Sequence, residues 1–415
     1  VVDAAGPRLA SAPAKARRKA SRVWWAIHQW VGLKLSIFLS FVLLTGTIAV
    51  FSSEIDWLLR PAMRVDPATV SGPVEWAAVA QAVARHAPEA EIAAIDGPID
   101  RGFAAATTIK RPDGSLAFVY AHPTSGAVQG DGHWVGAKRI FRNMHRHLFL
   151  PVKWGVPIVS SMAFLMAVSL GTAFVVYKKW WRGFLRPIRM TDARTAFGDF
   201  HRLAGVWSLW FVLLMVLTGV WYMAESLGLQ APPHPRAKVE ASGLTSIEAA
   251  DRLAASLAAA QAASPGLRIE RVQFPTAKSG AFVFHGQDKA ILVRARSNTV
   301  WTEAATGKAL LTTDGRDLSV HQRISEMADP LHFGTWGGLP TKIAWFAFGL
   351  LLTGLSVSGV AIYSLRLLRA ERRPQTWRAS LALAWSGMGR WRWLALALVI
   401  TAFVLLPGVF DVGGD

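Results

Sequence analysis

The sequence predicts a mainly α membrane protein: a four-helix transmembrane core made of two tandem repeats, a fifth C-terminal span, and two outward α+β domains. Three observations carry that expectation. Of the 415 residues 52% are hydrophobic and only 17% charged, with 19 Trp and a mean hydropathy of +0.30, too apolar for an ordinary soluble domain of this length. Five runs almost free of charge are each long enough, at ~1.5 Å per residue, to cross a hydrocarbon core of ~30 Å. The chain also repeats itself: Thr45-Gly46 follows His28 at the same offsets at which Thr218-Gly219 follows His201, and Gly32 and Gly205 each lie four residues past the histidine.

In chain order, residues 1–22 read as a basic leader, 23–52 as the first span, 53–154 as the first outward domain, 155–178 as the second span and 179–202 as a basic loop. Residues 203–224 form the third span, 225–342 the second outward domain, 343–365 the fourth span, 366–392 a second basic loop, 393–410 the fifth span and 411–415 a short outward tail. Charge sets the direction, because short cytoplasmic loops collect Lys and Arg. Segments 1–22, 178–202 and 366–392 hold 20 of the 45 basic residues against only Asp3, Asp192, Asp199 and Glu371, whereas 53–154 carries 11 basic and 10 acidic residues and 225–342 carries 13 and 11. The amino terminus and the basic loops are therefore expected in the cytoplasm. The same distribution accounts for the net charge of +18 through contact with anionic lipid, so no nucleic acid is expected as a partner. The first apolar run is longer than a signal-peptide h-region of ~7–15 residues and no small-residue cleavage site follows it, so it is expected to be retained as a span. The absence of cysteine excludes thiolate-held iron–sulfur clusters, haem attached at C-x-x-C-H, and disulfides.

Each repeat has the same order of parts. A span leads into a helix-like stretch, Glu75 to Ile92 or Ser246 to Ala263, and then into short β-like runs, LAFVYAHPTSGAVQG or TVWTEAATGKALLT, in which Ser125-Gly126 and Thr306-Gly307 mark hairpin turns. A histidine-bearing stretch, MHRHLFLPVKWG or PLHFGTWGGLPTK, closes each half before a span that ends at Tyr177 or Tyr363. Because each half returns to the cytoplasm, the repeats are parallel, related by an axis along the membrane normal. The fifth span contains Pro407 but no histidine and is assigned no chemistry. Dinucleotide-binding and phosphate-binding glycine loops, H-E-x-x-H and a nucleophile elbow are all missing from the sequence.

Chemistry must then come from the eleven histidines. His28 and His201 sit at equivalent positions near the cytoplasmic mouths of spans one and three. Singly, each reads equally well as an interfacial side chain beside a Trp belt; the match between them favours ligation. His145 and His332 stand at the opposite face, before the apolar runs of spans two and four. Four histidines in two layers meet the requirement of two six-coordinate haems, each iron held axially by imidazoles from different helices. Gly32, Gly46, Gly205 and Gly219 would give a macrocycle clearance, or simply mark helix contacts. Arg22, Arg146 and Arg202 are candidates to neutralise haem propionates, or mark the membrane boundary. His147, two residues from His145 and so on another helix face, and His321, eleven residues before His332, are alternative outer ligands. His86, His122, His133, His234 and His285 have no repeat equivalent and read as solvated. A dinuclear zinc or copper site is disfavoured because His28 and His145 belong to opposite ends of the bundle and carboxylate partners are lacking near His28. Ion transport would call for carboxylates buried mid-span, and the five runs contain none.

At WWAIHQWVGL, MHRHLFL, DFHRLAGVW and DPLHFGTWGG, within about Arg17 to Arg369, the chain resembles the PepSY-associated transmembrane family of iron-regulated proteins, whose members include inner-membrane ferric-siderophore reductases of Gram-negative bacteria. The two outward segments look like PepSY domains. The resemblance implies a multi-pass protein of the bacterial inner (cytoplasmic) membrane with periplasmic outward domains, and a core holding two haem b through His28, His201, His145 and His332. MHRHL matches the family's leucine-histidine-arginine pattern with Met144 for leucine, which favours His145 over His147. The implied activity is oxidoreductase: electron transfer to a periplasmic ferric siderophore, reducing Fe(III) to Fe(II) for iron uptake, with no catalytic acid or base. Some relatives carry a fused cytoplasmic flavin and nicotinamide domain; the cytoplasmic pieces here are short, so electrons are expected from a separate cytoplasmic reductant or quinol. Two other readings stand beside this one. The same haem b conduit would serve another periplasmic acceptor or a quinone-linked partner, or the chain would be a non-enzymatic, membrane-anchored PepSY module that binds proteins.

Overall fold

The computed structural model describes residues 14–411, with side chains described over residues 22–410; residues 1–13 of the expected leader and 412–415 of the expected tail lie outside the described residues. The first half of the chain forms α1 (Ala14–Lys34), α2 (Ser36–Val50), α3 (Ser52–Leu59), α4 (Trp76–His86), β1 (Glu91–Asp96), β2 (Ala105–Lys110), β3 (Leu116–Ala121), β4 (Val128–His133), α5 (Ala137–His147), α6 (Val152–Ser160) and α7 (Met162–Val176). The second forms α8 (Ala193–Trp207), α9 (Leu209–Ser226), α10 (Ser246–Ala263), β5 (Arg268–Gln273), β6 (Ala281–Gln287), β7 (Asn298–Glu303), β8 (Ala309–Thr313), α11 (Val320–Phe333) and α12 (Gly338–Ala370). The chain ends with α13 (Trp377–Met388), α14 (Trp391–Leu405) and α15 (Gly408–Asp411). Two compact units result: the residues up to Leu44 with Ser160–Val220 and Ala347–Ile400, and Thr45–Val159 with Trp221–Phe346 and the residues from Thr401.

Four helical stretches among the described residues are long and apolar enough to cross a membrane: Val152–Val176, Leu209–Ser226, Gly338–Ala370 and Trp391–Phe410. Large apolar side chains on them stay exposed, Leu217 at 60% and Val404 at 67%, the inverse of a water-soluble helix and the pattern of a lipid-facing one. This is a multi-pass membrane protein. The first span departs from the uninterrupted run expected over 23–52. Arg22–Lys34 and Ser36–Val50 are bent by 67° at a break on Leu35. Tertiary ties within the first unit account for the arm before the bend. Lys34 Nζ donates to the Gly387 carbonyl at 2.6 Å, Trp30 meets Trp391 edge-on at 6.0 Å, and the Arg366 guanidinium lies over Trp25 at 4.3 Å while donating to Gln29. A helix also ends at the same offset from His201: α1 stops six residues past His28 and α8 six residues past His201.

In the second unit the strands form one antiparallel sheet of eight, in the order β4-β3-β2-β1-β5-β6-β7-β8. Residues 53–154 and 225–342 therefore contribute four strands each and join through β1 and β5, where Ile95 faces Val272. Helices α4 and α10 pack on this sheet and on each other around Val79, Val83, Ile95, Leu253, Val272, Phe282 and Phe284, all fully buried. The hairpin turns fall where the sequence marks them, with Gly126 at φ +71° and Gly307 at φ +73°, a conformation that costs glycine no Cβ clash. The first helix-like stretch is shorter than expected: α4 stops at His86, Pro88 follows, and Glu91 already pairs with Lys110 in the sheet.

Candidate functional site

His28, His201, His145 and His332 meet in two pairs. In the first unit His28 on α1 and His201 on α8 approach with ring centroids 6.4 Å apart and planes at 86°. In the second unit His145 on α5 and His332 on α11 stand 6.1 Å apart with planes at 32°.

Hydroxyl groups on neighbouring helices orient the first pair. His28 Nδ1 lies 3.2 Å from the Ser169 carbonyl and 3.0 Å from Thr172 Oγ1, both on α7. A carbonyl can only accept, so Nδ1 carries the proton and Nε2 keeps its lone pair. His201 Nδ1 lies 2.9 Å from Ser358 Oγ on α12. The Ser358 hydroxyl donates to the Leu355 carbonyl, and that of Thr172 to the Val168 carbonyl, so each is left as an acceptor for an imidazole N–H. Both rings are thus fixed in the tautomer that leaves Nε2 for a metal. Small residues clear the space beside His201: a methyl group on Gly359 would come within 3.4 Å of its Cε1. One on Gly205 would meet only Leu355, at 3.6 Å, and one on Gly32 nothing within 4 Å.

The second pair is carried by two helices whose ends are tightly specified. Asp56 of α3 caps α5, accepting from the Ala137 and Lys138 amides at 2.8 and 2.9 Å, a carboxylate at the positive end of a helix. Any side chain at Gly136 would collide with Asp56 and Arg60. Helix α11 opens on a capping box between Ser319 and Gln322 and closes on Gly334 at φ +66°, which sets His332 in its last turn. A methyl group on Gly46 would come within 2.6 Å of the His145 ring, so only glycine allows that approach. Tyr222 lies edge-on to His332 at 5.3 Å and donates to Asp329 at 2.7 Å. Asp329 also receives Arg294, and Arg294 and Arg296 converge on Glu326, which accepts from His234 as well and is 1% exposed. Burial alone would raise Glu326, but the Arg294 and His234 hydrogen bonds hold it down at about 2. Burial, then the charge His145 would carry, lowers His332 to about 4, so it is neutral at physiological pH.

The remaining expected site residues fall elsewhere. The His147 ring turns to the Leu150 carbonyl at 2.8 Å and packs on Gly155, across a turn made by Leu148 and Phe149 in the left-handed region. His321 meets the Leu229 carbonyl and Trp221. Arg202 serves the Arg186 carbonyl and Asp199, Arg22 is exposed, and Gly219 faces Ala163. Of the histidines read as solvated, His86 and His133 are exposed, and His122 contacts Thr69 and Thr124. His234 and His285 correct that reading. The former is bound into the Glu326 cluster at 19% exposure, and burial, then the Arg271 charge, lowers the latter to about 4.

Sequence reasoning missed Thr172, Ser358, Gly359, Tyr222 and Asp329. The hydroxyls did leave a signal, since Thr172 and Ser358 each stand five residues before the tyrosine that closes their span, Tyr177 and Tyr363. Among the described residues no group of three or more His, Asp or Glu is gathered as for a metal ion; what each pair offers is two imidazoles with centroids 6.4 or 6.1 Å apart. A shallow polar cleft of about 550 Å³ lined by Asp66, Thr69, His122 and Gln129 includes none of the four histidines. A search of curated proteins finds no match to the chain. A family model described as the PepSY-associated TM region matches residues 25–366, a stretch that contains both histidine pairs, and the chain belongs to that family.

Proposed function

We propose that the chain is a di-haem b electron-transfer protein of the bacterial inner membrane that reduces ferric siderophore on the periplasmic side. The observation that carries this reading is the separation within the two histidine pairs, 6.4 and 6.1 Å. Two imidazoles that ligate one iron from opposite faces, each nitrogen ~2 Å from the metal, put their ring centroids ~6 Å apart. A bare metal ion would need further protein ligands, whereas a haem brings four equatorial nitrogens of its own, so two histidines suffice. With no group of three or more such ligands among the described residues, the pairs favour haem over a dinuclear zinc or copper site.

Within this reading His28 and His201 hold the cytoplasmic haem and His145 and His332 the periplasmic one, in a core of two tandem halves with the amino terminus inside. When bound, haem supplies reversible one-electron transfer, so one Fe(III) becomes Fe(II) per electron delivered. The residues supply position and potential. Thr172, Ser169 and Ser358 hold the first two rings by their Nδ1–H groups, and Gly46 and Gly359 let the His145 and His201 rings lie close to the neighbouring helix backbones. Tyr222 and the Asp329–Arg294–Glu326 cluster brace the last turn of α11. Reduction lowers the affinity of hard oxygen donors for iron, which releases it from the chelate. A cytoplasmic reductant or quinol provides the electrons.

The test is direct. The purified full chain should show a dithionite-reducible b-type absorption spectrum with two haems per chain, and the reduced protein should be reoxidised anaerobically by a ferric siderophore. A colourless protein would remove every electron-transfer reading and leave the protein-binding module. Haem without reoxidation by any ferric chelate would point to another periplasmic acceptor.

A further inference from the structure

Helix α5 carries more than His145. Lys138, Arg142 and Arg146 recur at four-residue intervals, which puts them on one helix face together with the histidine. All three are exposed, and the carboxylates around them are engaged elsewhere. Asp56 caps the helix backbone, Glu54 pairs with Lys342, Asp96 pairs with Arg271, and Asp329 receives Tyr222 and Arg294. Arg142 stands 6.0 Å over Phe333, whose ring lies 5.5 Å from His332, so the stripe borders both histidines of the pair.

We propose that Lys138, Arg142 and Arg146 form a docking face for an anionic Fe(III) chelate, one whose carboxylate or catecholate oxygens leave it net negative, beside the His145–His332 pair. The proposal rests on the electron-transfer reading and names the class of acceptor. The stripe extends ~10 Å along the helix axis from His145 to Lys138, which suits a multidentate chelate lying along it better than two propionates at one macrocycle edge. Exposed cations in a row act chiefly by steering and by weak, salt-sensitive attraction.

Gallium(III) chelates separate docking from reduction, since gallium(III) matches Fe(III) in charge and size but accepts no electron. The full chain in zwitterionic nanodiscs is titrated calorimetrically with anionic gallium(III) tris-catecholate and with neutral gallium(III) trihydroxamate. The anionic chelate should bind roughly tenfold more tightly at low ionic strength, and high salt should erase the preference. The combined K138Q, R142Q and R146Q variant should lose the preference while keeping both haems, and R142K should retain it. Equal binding of the two chelates, or an unchanged preference in the triple variant, overturns the proposal. So does loss of one haem from the triple variant, which would assign these cations to propionates. A haem-free wild-type chain that still prefers the anionic chelate would refute the electron-transfer reading and leave the docking face standing.

Discussion

The His28–His201 pair and the His145–His332 pair hold their rings at nearly equal separation, yet their surroundings differ in kind. The first is oriented by neutral hydroxyls, Thr172 and Ser358, each passing its own hydrogen to a carbonyl of its helix. The second stands beside charges: Tyr222 on Asp329, Asp329 on Arg294, Arg294 on Glu326. The contrast follows from the solvent each must tolerate. In an apolar bundle a hydroxyl is the smallest group that satisfies an imidazole N–H without burying charge. Between a span and an α+β segment, ion pairs are affordable because every member has a partner. The ring planes differ as well, near perpendicular at 86° in one pair and 32° in the other.

The largest effect should come from removing a ring. H28A or H201A should leave one haem of two, the second pair's, and H145A or H332A should leave the first pair's; pyridine haemochromogen quantitation reads this out. H147A should keep both, and loss of a haem from it would reassign the second pair. The ring planes predict distinct electron paramagnetic resonance signals. The perpendicular pair should give a highly anisotropic low-spin ferric signal that disappears in H28A, and the tilted pair a rhombic one that disappears in H145A. Identical signals from the two sites would erase the geometric contrast.

Acid should act on the charged support rather than the hydroxyl one. Glu326, held at about 2 in the fold against 4.5 for an ordinary glutamate, stabilises the native state fully above pH ~4.5 and loses that contribution as pH falls toward 2, on the order of 3 kcal/mol. E326Q should be less stable than the parent at neutral pH and should flatten this acid limb in thermal melts, while S358A should leave the limb unchanged. The smallest effect should be T172V or S358A. Each removes one acceptor from an imidazole N–H, a net ~1 kcal/mol, and should shift one midpoint potential by tens of mV, ~40 mV for a one-electron couple, without loss of haem. A shift in both potentials would show that the two sites are not independent.

Much of this was legible in the residues. The matched offsets around His28 and His201, the Gly126 and Gly307 turns and the apolar runs are local patterns, and local patterns report helix, turn and span because their periods are set by backbone geometry. The bend at Leu35 was not legible, since it depends on Lys34, Trp30 and Trp25 finding partners at Gly387, Trp391 and Arg366, hundreds of residues away in the sequence. The hydroxyl acceptors escaped notice for a related reason. A serine or threonine in a span usually bonds its own helix carbonyl, and only the packed neighbour reveals that Thr172 and Ser358 also serve a histidine.

By itself the sequence determined the class of molecule, the number and place of its apolar runs, and the equal offsets around His28 and His201, because hydrophobic length and residue spacing are properties of the chain read in order. Tertiary structure alone decided that the two sets of four strands close into one sheet through Ile95 and Val272, and that the two ring pairs differ in angle and support. Each of those outcomes depends on contacts between residues distant in sequence, where hydrogen-bond geometry and packing select one arrangement among several that the local pattern allows equally.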